Sequence, residues 1–187
     1  MIALDLDNTI ICHDAAFHAA AMALDCLPPN QAPTKATIKS AALELGGNEL
    51  WTRLQGIAYG EKIHHSTLFP GCAEFITSTQ EELVIVSHKT QFPAIGKSID
   101  LREAARHWLS RTPLSGIPIH FLPTREEKVA TVAKLSPRIL IDDLPEVFQF
   151  PGFPTTTRFI LFDPTDSHPK WSATPRIRAW NQALTSI

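Results

Sequence analysis

The chain has 187 residues, 44% of them hydrophobic and 19% charged, with a formal net charge of −2. That length can bury a real core and suits one domain with room for an insert. The near-neutral charge offers no basic face to nucleic acid or to an anionic membrane surface, and no apolar run approaches the roughly 18 residues of a bilayer span. Three scattered cysteines, Cys12, Cys26 and Cys72, contain no CxxC pair. They are poor material for a disulfide framework or a zinc knuckle and fit a reduced, cytoplasmic setting.

Met1 leads directly into the first apolar run, so no signal peptide is expected. Ile2, Ala3 and Leu4 lack alternation, as a strand buried on both faces would. Asp5 and Asp7 then follow at i and i+2, on one side of an extended chain. Two carboxylates that close repel, and burial worsens the repulsion unless a cation or a proton stands between them. Taken alone, the pair reads as a metal and acid–base site at the end of a buried strand, or as a solvated Asp-rich turn with Asn8 as turn former.

Asp14 can cap a helix over the Ala-rich stretch that follows, and Pro28 and Pro29 stop it. Thr34 restarts a helix that Gly46 and Gly47 end, and Asn48 caps a third segment carrying Leu50, Leu54 and Ile57 at helical spacing. Residues 14–66 therefore read as a helical insert, with 1–13 and 67–187 forming an α/β body. In that body Pro70 and Gly71 open a helix that runs into a strand, Leu83 to Val86, ending at Ser87 and His88. Asp100 caps a helix, Ile117 to Leu122 form a third strand, and Thr124 with Glu127 caps the next helix in a capping-box spacing. A fourth strand, Ile139 to Ile141, ends in Asp142 and Asp143. A fifth, Phe159 to Phe162, ends in Asp163, where Pro164 argues for a turn. Thr174 with Pro175 is expected to start a closing helix bearing Ile177, Trp180 and Leu184. Strands alternating with helices mean a parallel sheet with helices on both faces.

In such a sheet the strand ends lie on one rim, so Asp5, Asp7, Ser87, Asp142 and Asp143 are expected to converge, with Lys128 near the start of a helix beside them. Carboxylate oxygens suit Mg²⁺, which shares its site readily with phosphate, and a lysine neutralises anionic charge there. This is the equipment of phosphoryl transfer: a cation, anion donors and a carboxylate able to attack.

At this point the chain resembles the haloacid dehalogenase (HAD) superfamily. DLDNTI resembles its motif I (DxDxT), Ser87 its motif II, Lys128 its motif III and LIDD its motif IV in the DD form. PGCAEF resembles the usual lead-in to motif II. The resemblance covers residues 1 to about 163. It implies a Rossmann-like HAD fold with five parallel strands, the first central, and a small C1-type helical cap at the insert. It also implies a two-step, Mg²⁺-dependent phosphatase acting on a phosphorylated small molecule. In that reading Asp5 is the nucleophile and becomes an aspartyl-phosphate. Asp7 protonates the leaving alcohol and then activates water. Mg²⁺ is held by the Asp5 carboxylate, the Asp7 carbonyl and Asp143, with Asp142 behind them and possible partner to Lys128. Ser87 and Lys128 hold phosphoryl oxygens, a role for which Lys89 and Lys97 compete with Lys128. An acid at Asp7 argues for phosphate esters over carbon–halogen bonds.

Thr9 reads chiefly as a brace of the motif I loop, with phosphate contact as the alternative. His88 and Tyr59 are candidate substrate contacts, against the plainer readings of an exposed loop histidine and a core tyrosine. His64 and His65 flank the same return segment and read equally as solvated. The four tryptophans read as packing residues. A phosphotransferase or phosphomutase, or a regulatory module that binds phosphate without turnover, stands as the alternative function.

Overall fold

The computed structural model describes residues 1–27 and 34–186, so Pro28 and Pro29 lie outside the described residues. In chain order the strands are β1 (Ile2–Leu4), β2 (Ile11–Cys12), β3 (Thr67–Leu68), β4 (Leu83–His88), β5 (Ile119–Leu122), β6 (Ile139–Asp142), β7 (Arg158–Phe162) and β8 (Arg176–Ile177). The helices are α1 (Asp14–Ala23), α2 (Lys35–Tyr59), α3 (Cys72–Ser78), α4 (Leu101–Leu109), α5 (Arg125–Leu135), α6 (Pro145–Phe148) and α7 (Trp180–Ser186). The chain divides into two compact units. One comprises Met1–Ile11, Leu68–Lys89 and Thr112–Ile187, the other Cys12–Thr67 and Thr90–Arg111.

The first unit is built on a six-stranded sheet of order β5-β4-β1-β6-β7-β8, while β2 and β3 form a separate two-stranded sheet. Neighbouring strands of the large sheet run parallel, and Leu4 of β1 lies opposite both Ile85 and Ile141. Central position explains the unalternating apolar run: Ile2, Ala3 and Leu4 are fully buried. On one face Ala3, Val84, Val86, Leu140, Phe159 and Leu161 pack with Val129 and Val132 of α5 and Val147 of α6. Elsewhere in this unit Trp180 is fully buried, its ring 5.0 Å from Phe75 and 5.6 Å from Phe162.

Five strands were expected and the sheet has six. Thr174 and Pro175 do not start the closing helix; Arg176 and Ile177 extend as β8 beside Leu161 and Phe162, and α7 begins at Trp180. Two residues are too few to display a period of two, so only pairing reveals such a strand. The buried Asp163 accepts hydrogen bonds from the Ser167 and His168 amides at 2.8 and 3.0 Å, with Arg176 Nη1 at 3.3 Å. It folds the loop into β8, in keeping with a turn.

In the second unit Ala16, Phe17, Ala20, Ile38, Ala42 and Leu54 form a buried apolar centre, with Phe17 stacked on Trp51 at 5.1 Å. Thr34 caps α2 reciprocally with Thr37, and the helix breaks at Gly46 and Gly47, where φ of Gly47 is +60°. Asp14 is the first residue of α1, not its cap; its carboxylate accepts from the Lys35 amide at 2.7 Å.

Residues 90–111, expected in the α/β body, belong to this helical unit. A methyl at Gly60 would meet Ile99 Cγ2 at 2.7 Å, and one at Gly56 would meet Pro93 Cβ at 2.8 Å, so two glycines of α2 and its end admit the segment. Lys97 Nζ reaches Glu61 at 2.7 Å and Trp108 Nε1 donates to the Ser66 carbonyl at 3.2 Å. Periodicity marks α4 as amphipathic but cannot name the body its apolar face meets.

All three cysteines are free. Burial pushes the Cys72 thiol up to about 12, and raises Cys12 and Cys26 from their ordinary value. Because the thiolate is the reactive form, the native protein is expected to react with Ellman's reagent at pH 8 at least about tenfold more slowly than the guanidinium-unfolded chain. Three thiols titrating promptly in the native state would contradict this packing. No described helix is long and apolar enough to cross a membrane.

Candidate functional site

Past β1 the chain makes a tight loop. The Asp5 amide donates to the Ile141 carbonyl at 2.9 Å, extending the sheet by one step, and the Ile10 and Ile11 amides both return to the Leu6 carbonyl at 3.0 and 2.9 Å. Asn8 takes φ +68°, a left-handed conformation that Asn tolerates, and its amide donates to Ile11. Leu6 and Ile10 anchor the loop in the core, and Trp180 Nε1 donates to the Thr9 carbonyl at 3.0 Å. The Asp5 and Asp7 side chains are thus carried on a loop closed by its own backbone.

Register brings the other groups to the same level. Leu4 is level with Ile85 and Ile141, so two further steps along the neighbouring strands reach Ser87 and Asp143. Lys128 of α5 is 1% exposed; its ammonium pairs with Asp5 Oδ1 and lies 2.6 Å from Asp142 Oδ2. Asp142 Oδ1 accepts from the Leu144 amide at 3.0 Å. The Thr9 hydroxyl lies 3.3 Å from Asp5 Oδ2 and 3.5 Å from Asp143 Oδ1, so its one proton can serve either. Ser87 Oγ is buried without a hydrogen-bond partner among the described residues, a costly state for a hydroxyl unless a ligand completes it.

Asp5, Asp142 and Asp143 each offer a carboxylate oxygen within 4.8 Å of the others. Burial pushes the Asp5 carboxyl up to about 7; the charges of Asp142 and Asp7 add to this and Lys128 opposes it. Burial alone would lower Lys128, but the charges of Asp142 and Asp5 outweigh it and hold the ammonium above its ordinary range. With Asp7, four carboxylates face the two ammoniums of Lys128 and Lys89. With all four ionised, two negative charges are left uncompensated, which a divalent cation with an all-oxygen shell would neutralise. The donor set fits Mg²⁺.

Asp5, Asp7, Thr9, Ser87, His88, Lys128, Asp142 and Asp143 all belong to the sheet unit. His88 turns its Nε2 to the Pro123 carbonyl at 3.1 Å, and partial burial lowers it from its ordinary value. Tyr59 belongs to the helical unit, its ring edge-on to His13 at 4.9 Å and Phe17 at 5.4 Å. His64 and His65 are exposed there. Of the three competing lysines, Lys97 is 83% exposed and pairs with Glu61 in the helical unit. Lys89, by contrast, lies in the sheet unit with its ammonium 2.6 Å from Asp7 Oδ2 and its side chain 3% exposed, a pairing that sequence reasoning misses. Standing two positions past Ser87, it was legible as a neighbour on the same side of an extended chain.

No family model matches this chain, and no curated relative does. Solved structures do. A haloacid dehalogenase-like family hydrolase from Streptococcus pneumoniae superposes with a TM-score of 0.67 at 13% identity, over 99% of this chain and 96% of that one. A candidate phosphoglycolate phosphatase from Lactobacillus plantarum gives 0.62 at 14% identity, over 100% and 98%. A candidate HAD hydrolase from Bacillus subtilis, bound to magnesium, gives 0.61 at 14%, over 99% and 96%. At such identities the likeness is one of fold.

Proposed function

We propose that this chain, whose fold is that of the haloacid dehalogenase hydrolases, is a Mg²⁺-dependent phosphatase that cleaves phosphate monoesters of small molecules through an aspartyl-phosphate. The observation that carries the reading is the gathering of Asp5, Asp142 and Asp143 oxygens within 4.8 Å around the ion-paired Lys128. Asp5, Asp143 and the Asp7 carbonyl would hold the ion, with Asp142 behind them. When bound, the ion screens the anionic nucleophile from the anionic substrate.

The Asp5 carboxylate attacks phosphorus in line, forming an acyl phosphate as the ester P–O bond breaks. Asp7 delivers its proton to the leaving alkoxide, then takes one from the water that attacks the same phosphorus, and phosphate departs with Asp5 restored. Ser87 Oγ, lacking a partner among the described residues, donates to a phosphoryl oxygen, and Lys128 stabilises charge on that group. Thr9 braces Asp5. His88 and Tyr59 are secondary candidates for contact with the rest of the substrate, and residues 14–66 with 90–111 would supply the cap.

The test is release of phosphate from p-nitrophenyl phosphate and from small phosphorylated acids, 2-phosphoglycolate among them, with Mg²⁺ and with EDTA. Turnover with Mg²⁺ and none with EDTA is expected. Independently of turnover, Mg²⁺ at about 100 times its Kd should stabilise the fold by about 2.7 kcal/mol, and Asp143→Asn should erase most of that gain. Transfer to an added alcohol in place of hydrolysis would favour a phosphotransferase. Absence of both turnover and a thermal shift would overturn the proposal.

A further inference from the structure

Two lysines, not one, are buried at the sheet rim. Lys128 serves Asp5 and Asp142, and the proposed reaction uses it. Lys89 is given no task by that reaction, yet its side chain is 3% exposed and its ammonium sits 2.6 Å from Asp7 Oδ2. Burying an ammonium is expensive unless a well-placed anion compensates it. The placement is also fixed at the backbone: the Lys89 amide donates to the Leu122 carbonyl at 2.8 Å, tying the end of β4 to β5. On the other side of the pair, Asp7 rides the closed loop after β1 and is 16% exposed at its side chain.

Resting on the phosphatase reading, we propose that Lys89 is the positioning residue of Asp7, holding Oδ2 so that the transferred proton travels through Oδ1. The physical need is plain. Asp7 stands near Asp5, whose like charge pushes it away, and an unrestrained aspartate would turn outward to water. The Lys89 ammonium opposes that push from a buried, backbone-anchored position. An ammonium donates and cannot accept, so the oxygen it engages stays an acceptor. The proton given to the leaving alkoxide as the ester bond breaks, and the one taken from water in the second half, belong to the other oxygen. Lys89 keeps its own proton throughout. It touches neither phosphorus nor the leaving group, so it acts through Asp7.

This separates from a structural role by leaving-group dependence. On phosphate monoesters running from p-nitrophenyl through phenyl to simple alkyl, a positioned acid matters more as the leaving group worsens. Lys89→Met is expected to lose about tenfold in kcat/KM on p-nitrophenyl phosphate and about a thousandfold on alkyl phosphates, inside the roughly 10²–10⁴-fold that general acid catalysis supplies. Asp7→Asn should show the same trend, and Lys89→Arg should recover part of the loss. In the Asp7→Asn background, Lys89→Met should add less than about threefold, because both act on one step. That double variant also removes both charges together, so no buried ion is left unpaired if Lys89→Met alone fails to fold. A loss equal across the series would overturn the proposal. So would a rise in KM with weakened inhibition by inorganic phosphate, which would place the ammonium on the phosphoryl group itself. A parent protein inactive on every ester would instead sink the phosphatase reading, and this inference with it.

Discussion

Asp5→Asn is expected to reduce phosphate release by at least about a thousandfold while leaving the fold intact. An amide of the same shape cannot attack phosphorus, and no other carboxylate sits where Asp5 does, at the end of the central strand between β4 and β6. The same change carries a stability signature that an inert scaffold would not produce. In the metal-free protein burial pushes Asp5 up to about 7 from an ordinary 3.8. Between those values the folded state binds a proton that the unfolded state has released, so this carboxyl weakens the fold as pH rises through the interval. In EDTA, thermal stability of the parent should therefore fall relative to Asp5→Asn between about pH 4 and pH 7, and added Mg²⁺ should narrow the gap at pH 7. Melting temperatures of the two proteins across that range, beside the phosphate assay, decide it. Parallel pH curves would mean that Asp5 is not buried among like charges. Undiminished turnover would remove it from the nucleophile's place.

Lys128→Met should be strongly destabilising. The lysine is 1% exposed and pairs with Asp5 and Asp142, themselves 5% and 0% exposed. Methionine fills the stem's volume but leaves two buried carboxylates without their cation. Breaking a buried pair in this way costs roughly 3–5 kcal/mol, or on the order of 10 °C in Tm for a chain of this size. The cost should shrink when Asp142→Asn is combined with Lys128→Met, since one orphaned charge is then gone, and Mg²⁺ should recover part of it in the single variant. Activity should be lost in both. Denaturant or thermal melts of the parent and the two variants provide the check; a Tm within about 2 °C of the parent for Lys128→Met would contradict the buried triad.

Several features were legible because they depend on residues a few positions apart. The unbroken apolar run before Asp5 reports a strand covered on both faces, and Ile2, Ala3 and Leu4 are indeed fully buried. Thr34, Asp100 and Thr124 each accept an amide of the first turn that follows them, as capping chemistry requires. Acids at i and i+2 after one strand and adjacent acids after another stood out as charge placed where burial was due. Other features left no local trace. β8 is two residues long and exists only because β7 lies beside it. The segment 90–111 joins the helical unit because Gly56 and Gly60 leave room for Pro93 and Ile99.

The amino-acid order by itself therefore determined the alternation of strands and helices, and the identity of the acids at the strand ends. Both are set by burial periodicity and capping within a turn or two of chain. Resemblance singled out Lys128, but only tertiary structure paired each lysine with its carboxylate. Lys128 meets Asp5 across 123 positions and Lys89 meets Asp7 across 82, while Lys97, equally basic, stays with Glu61 in the other unit. Which ammonium reaches which carboxylate follows from strand order and register, and no pattern confined to neighbouring residues encodes either.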